Sequence, residues 1–201
     1  MLALRSFIRQ PGISSRFSQI RSVSTLEGHP HIYTFPSNGS HILTLLPTTP
    51  PNATLSIGLT SKLPPTPDSF RENPRFLNIL QDVLAEHGYQ DPDAVSQAQV
   101  MVSTAGANLS SGGVLLTGGR ARRRRGETAD SSGGASGQGG AGPEDIFGSL
   151  EVDGNGSFVG GNGNYQASGT YRIITRDGFF GLSPFLREKL VQKLREIESQ
   201  S

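Results

Sequence analysis

YRIITRDGFFGLSPFLREKLVQKLREIE, residues 171–198, decides the fold class. Ile173 and Thr175 alternate with Arg172, Ile174 and Arg176. Asp177-Gly178 then supplies the two positive-φ positions of a two-residue turn, and Phe179 to Leu182 returns. That register puts Tyr171, Ile173, Phe180 and Leu182 on one face. Ser183 offers the side-chain oxygen of an N-cap, and Pro184 takes the first helical position, where its missing N–H costs nothing. At about 100° per residue, Leu186, Leu190, Leu194 and Ile197 fall within one arc, with Glu188, Gln192, Arg195 and Glu196 opposite. This stripe needs an apolar partner, and the adjoining hairpin face is the expected one.

Upstream the same grammar recurs. His31 to Phe35 and His41 to Leu46 are strand-like and meet at Asn38-Gly39, a hairpin in which Pro36 pairs with His41. Leu55, Ile57 and Leu59 continue the period of two as a third strand. Residues 28–61 carry no formal charge, yet Pro30, Pro36, Pro47, Pro50 and Pro51 interrupt them, so no membrane span is expected. After a Pro-rich linker at 63–67, Asn73-Pro74 opens a helix with Phe76, Leu77, Ile79, Leu80, Val83, Leu84 and His87 on one side, ended by Gly88. Asp91-Pro92 opens a second, striped by Ala94, Val95, Ala98, Met101, Val102 and Ala105, which stops at Gly106. Leu150 and Val152, Asn155-Gly156, then Phe158 and Val159 read as a further hairpin.

These elements predict an α+β fold: an antiparallel sheet of hairpins, three strands from the N-terminal part and about four from the C-terminal part, packed by about three helices. Four segments are expected. Residues 1–22 are a mitochondrial presequence, 29–106 and 143–198 are the two parts of the domain, and 107–142 are a disordered Gly/Ser-rich insert with an Arg run. The 26 Gly and 13 Pro make up about a fifth of 201 residues, much of the Gly lying in that insert. The absence of Cys removes disulfides, thiolate metal sites and cysteine nucleophiles together.

Charge is unevenly placed. Of 18 Lys and Arg, four (Arg5, Arg9, Arg16 and Arg21) precede the first acid, and five form the run Arg120, Arg122, Arg123, Arg124 and Arg125. The remaining nine face 17 acidic residues, a balance of −8. The first 26 residues, with four Arg, seven Ser or Thr and no Asp or Glu, have the composition of a matrix-targeting leader, and Arg21-Ser22-Val23-Ser24 places maturation near Ser22/Val23. A mitochondrial, matrix location follows as the expectation. The Arg run offers cations to RNA phosphates or to anionic lipid head groups such as cardiolipin, without aromatic residues for base stacking.

Catalytic and metal patterns are sparse. Asp153, Asn155 and Ser157 match the opening of a calcium loop, but Phe158 stands where Gly is needed and Asn164 where Glu is needed. No phosphate loop, dinucleotide fingerprint or nucleophile elbow occurs. His31 and His41 fall on opposite sheet faces in the Asn38-Gly39 register, which disperses a His29, His31, His41 ligand set. No catalytic, cofactor or metal residue is assigned.

HIYTFPSNGSHILTLLP at 31–47, PEDIFGSLEVDG at 143–154 and SGTYRIITRDGFFGLSPFLREKLVQKL at 168–194, with the leader, resemble a family of uncharacterised fungal mitochondrial proteins. The similarity covers about two thirds of the chain, and the last motif is the most specific. Relatives in that family hold extra ordered sequence before PEDIFGS. The resemblance implies a location and no activity. The functional expectation is a non-catalytic accessory or assembly protein with a protein partner; the alternatives are an RNA- or ribosome-associated protein using the Arg run, and an enzyme of unknown type.

Overall fold

A computed structural model describes residues 23–105, 111–118, 142–176 and 178–200. The chain begins with a five-stranded antiparallel meander, β1 (Ser24–Leu26), β2 (His29–Ser37), β3 (Ser40–Thr44), β4 (Gly58–Thr60) and β5 (Phe70–Glu72), ordered as in sequence. Asn38 and Gly39 take φ of 44° and 79°, the pair of left-handed positions a tight hairpin turn requires, and Pro36 stands opposite His41. The register divides the sheet. Thr34, Leu43, Gly58 and Glu72 form one row facing the main core. Phe35, Ile42, Leu59 and Arg71 form a row on the opposite face, buried at Phe35 and Ile42 and 39% exposed at Leu59.

Two helices follow, α1 (Pro74–His87) and α2 (Pro92–Ala105), joined by a 3-10 turn at Gly88–Gln90. Asn73 caps α1 by accepting the Arg75 N–H at 3.0 Å, while its amide donates to the carbonyls of Thr54 and Ser56, tying the helix start to the loop before β4. Phe76, Ile79, Leu80, Val83 and Leu84 are buried. Gly88 follows α1 in right-handed backbone, so its glycine character comes from packing: a Cβ there would lie 2.8 Å from Leu116 Cδ1. A three-stranded sheet, β6 (Ser111–Thr117), β7 (Ile146–Asp153) and β8 (Gln166–Ala167), is ordered β6-β7-β8. The hairpin β9 (Ile174–Thr175) and β10 (Gly178–Phe179) then leads to α3 (Pro184–Ser199).

One hydrophobic cluster runs through all these parts, from Leu26 and Ile32 through the α1 stripe, Val114, Leu116, Phe147, Leu150 and Val152 to Leu186, Leu190 and Leu194. The last hairpin sits between its neighbours. Phe179 meets Phe70 of β5 at 6.1 Å between ring centroids, and Phe180 meets Phe76 of α1 at 6.0 Å, both edge-on. Ser183 caps α3 through Leu186 N–H at 3.1 Å.

The α+β class is as expected, with several corrections of detail. The strands form three sheets, not one, because α1 and α2 intervene and both faces of the β9–β10 hairpin are used in packing. The third strand starts at Gly58; Leu55 belongs to a 3-10 turn nucleated by Asn52, whose side chain accepts the Thr54 N–H at 3.0 Å. β1 and β5 are additions. β5 lies so close that a Cβ on Gly58 would meet the Arg71 carbonyl oxygen, so only glycine fits. The last hairpin turns one step earlier than Asp177-Gly178 implies: Thr175 pairs with Gly178 and Ile174 with Phe179. The faces are unchanged by that step, since each partner moves by two residues, and Tyr171, Ile173 and Phe180 remain buried together. The chief partner of α3 is α1, not the hairpin, because the α1 stripe is the longer apolar surface. The Val152–Phe158 return is a single bridge followed by a 3-10 turn at Val159–Gly161.

The largest correction concerns the 107–142 insert. Ser111–Thr117 is a strand paired along β7, with Val114 and Leu116 buried, because their alternation supplies the apolar face that two glycines obscure in composition. Residues 119–141, including Arg120, Arg122, Arg123, Arg124 and Arg125, lie outside the described residues, as do 1–22 with Arg5, Arg9, Arg16 and Arg21.

Candidate functional site

Among the described residues, two places are the candidates for a site. The first is a cleft of about 140 Å³ where the starts of α2 and α3 converge over the end of β6. Asp91, Asp93, Ala94 and Gln97 line it from α2, Ser183, Pro184 and Leu186 from α3, and Leu116, Thr117, Gly118 and Phe147 from the sheet. The local sequence explains the convergence: each helix starts at a cap followed by proline, so both chains enter by a sharp turn at the same end of the sheet. The Asp91 carboxylate accepts the Asp93 N–H at 3.2 Å and is buried. The N-terminal ends of the two helices favour negative charge, and Asp91 and Asp93 provide it from within the fold, leaving little net field for an anionic ligand. The volume is also well below the roughly 300–1,000 Å³ of small-molecule sites.

The second place joins β2 to α3. Arg187 Nη1 lies 3.2 Å from His31 Nδ1, which accepts from the guanidinium, and His29 meets His31 edge-on at 5.9 Å and Phe179 at a tilt at 5.6 Å. Burial, then the Arg187 charge, then His29 lower the His31 pKa to about 4, so its imidazole is neutral at pH 7. A neutral histidine held by an arginine is a packing contact between sheet and helix, and the adjoining cation disfavours a metal ion there.

His41 projects from the other side of β2–β3 pairing to His31, opposite Thr60, so the three N-terminal histidines do not converge. Among the described residues there is no group of three or more His, Asp or Glu side chains placed to hold a metal. Asp153 is instead a loop cap: its Oδ1 accepts the N–H groups of Asn155 at 2.9 Å and Ser157 at 2.8 Å, orienting that oxygen toward backbone. No helix among the described residues is long and apolar enough to cross a membrane.

Sequence reasoning missed a second polar contact besides Arg187–His31. Tyr165, ahead of β8, donates its hydroxyl to Gln81 Oε1 of α1 at 2.6 Å, with the Phe147 carbonyl oxygen 3.1 Å away, and burial raises its pKa. Gly148 makes room for that ring: a Cβ would lie 2.6 Å from it. The visible signal was an isolated glycine inside a strand pattern, which marks a close approach. The chain matches no protein-family model, no curated protein and no solved structure.

Proposed function

We propose that this chain is a mitochondrial matrix accessory or assembly protein that acts through protein contacts rather than catalysis. The observation that carries this reading is the charge division at the N-terminus: four Arg and no acid in residues 1–22, directly ahead of β1 at Ser24. The position of β1 supports maturation near Ser22/Val23. A cut there spares the strand, whose Ser24 hydroxyl is 2.6 Å from that of Thr34 and whose Leu26 is buried in the core. The resemblance to fungal mitochondrial proteins belongs to the same reading.

The test is recovery of the tagged chain from mitochondria, with and without nuclease, for the wild type and for a variant with Arg120, Arg122, Arg123, Arg124 and Arg125 all changed to Ala. The same co-purifying proteins are expected in all four samples. Recovery that falls with nuclease and falls equally in the Arg variant would instead identify RNA as the partner, since counterion-releasing phosphate contacts depend on those cations.

A further inference from the structure

Among the described residues, the strand least protected at its edge is β6. In β7, the Glu151 N–H donates to the Gly163 carbonyl at 2.6 Å and the Phe147 carbonyl accepts from Ser168 N–H at 2.9 Å, so odd-numbered residues of β7 turn away from β6. Gly113 stands opposite Glu151 and Leu115 opposite Ser149. By the alternation of an antiparallel ladder, the N–H and C=O of Gly113 and Leu115 therefore point outward from the sheet. Among the described residues no hydrogen bond reaches them. Gly113 is exposed, and the space a Cβ would take there meets only the Leu150 carbonyl oxygen at 3.9 Å.

The other sheet edges are blunted by length: β1 and β5 have three residues each and β8 has two. β6 has seven, with no charge and no proline in SGGVLLT. We propose that this edge pairs antiparallel with the same edge of a second copy of the chain, joining two three-stranded sheets into one across a two-fold axis at Val114. In that register Gly113 stands opposite Leu115 of the second copy and the reverse, which makes four N–H···O=C bonds and lays each Leu115 over a glycine. Pairing of this kind removes both long edges at once, leaves only the two-residue β8 strands outside, and so closes at two copies. Without the four Arg of residues 1–22 the chain carries 14 Lys and Arg against 17 acidic residues, a formal balance of −3 that sets little electrostatic resistance against self-association. This dimer is separate from the partner proposed above and stands or falls without it.

Sedimentation velocity of the full chain over a dilution series tests it. The wild type is expected to show a reversible monomer–dimer equilibrium. Leu115→Pro removes an outward N–H at a position where an edge strand tolerates proline, and is expected to sediment as monomer with its thermal melt retained. Val114→Pro removes an N–H bonded to β7 and is expected to lose the melt, which shows that the effect depends on direction. Leu115→Lys keeps the N–H and places a charge on the edge; a dimer at least tenfold weaker is expected, and this variant decides the matter if Leu115→Pro fails to fold. A wild type that stays monomeric up to its solubility limit, or a Leu115→Lys chain that dimerises as tightly as wild type, overturns the proposal.

Discussion

Leu190→Asp is expected to leave the chain without a cooperative thermal unfolding transition. Leu190 is fully buried on α3 between Leu186 and Leu194, in the cluster that also holds the α1 stripe. Truncation alone, as in Leu190→Ala, is expected to cost about 2–5 kcal/mol through lost transfer and a residual cavity. An aspartate adds the penalty of an unpaired carboxylate in apolar surroundings, and the sum approaches the roughly 5–15 kcal/mol that holds a domain folded. Leu194→Asp should behave alike, since Leu194 is equally buried. Arg195, one residue on, is exposed, so Arg195→Ala should move stability by less than about 0.5 kcal/mol. Urea or thermal denaturation followed by circular dichroism reads all four variants. A preserved Leu190→Asp transition would mean that α3 is not seated on α1.

The second large effect is expected at Gly148. A methyl group there would press into the Tyr165 ring and meet the Gln166 backbone carbonyl. The side chain can move only by giving up Gln81, and the backbone of β8 can move only by leaving β7. Overpacking with loss of a buried hydrogen bond puts Gly148→Ala at about 2–4 kcal/mol of destabilisation by chemical denaturation. Gly169→Ala is the matched control. Nothing lies within 4 Å of the Cβ it would add, and little change is expected. In a Tyr165→Leu background the Gly148→Ala cost should shrink, because the two positions share one space.

What the sequence made legible was whatever carried its own punctuation. Asn73-Pro74, Asp91-Pro92 and Ser183-Pro184 each start a helix, and Asn38-Gly39 sets the first hairpin register to the residue. These signals are local, so no tertiary contact has to be known to read them. The misreadings share an opposite cause. β5 is three residues long and exists because Gly58 lets it approach, a fact about two distant segments. β6 carries its apolar alternation at Val114 and Leu116 behind Ser111-Gly112-Gly113, where glycine composition argues for a loop until β7 supplies a partner. The Asp177-Gly178 signal mispositioned the last turn by one step, a shift that leaves the faces, and with them the packing of Phe179 and Phe180 on opposite sides, unchanged. For the site, the dispersal of His31 from His41 was readable from parity alone, whereas the Arg187–His31 contact spans elements with no common local signal and Gly148 marks a close approach to β7 without naming Tyr165 or Gln81 as its makers.

The central functional claim is that the basic leader is removed to release a domain that begins at β1. N-terminal sequencing of the C-terminally tagged chain recovered from mitochondria tests it most directly. A mature terminus at Ser22 or Val23, just ahead of β1, is the predicted result. A terminus still at Met1, a cut beyond Leu26 that removes β1, or recovery of the chain only outside mitochondria would contradict it.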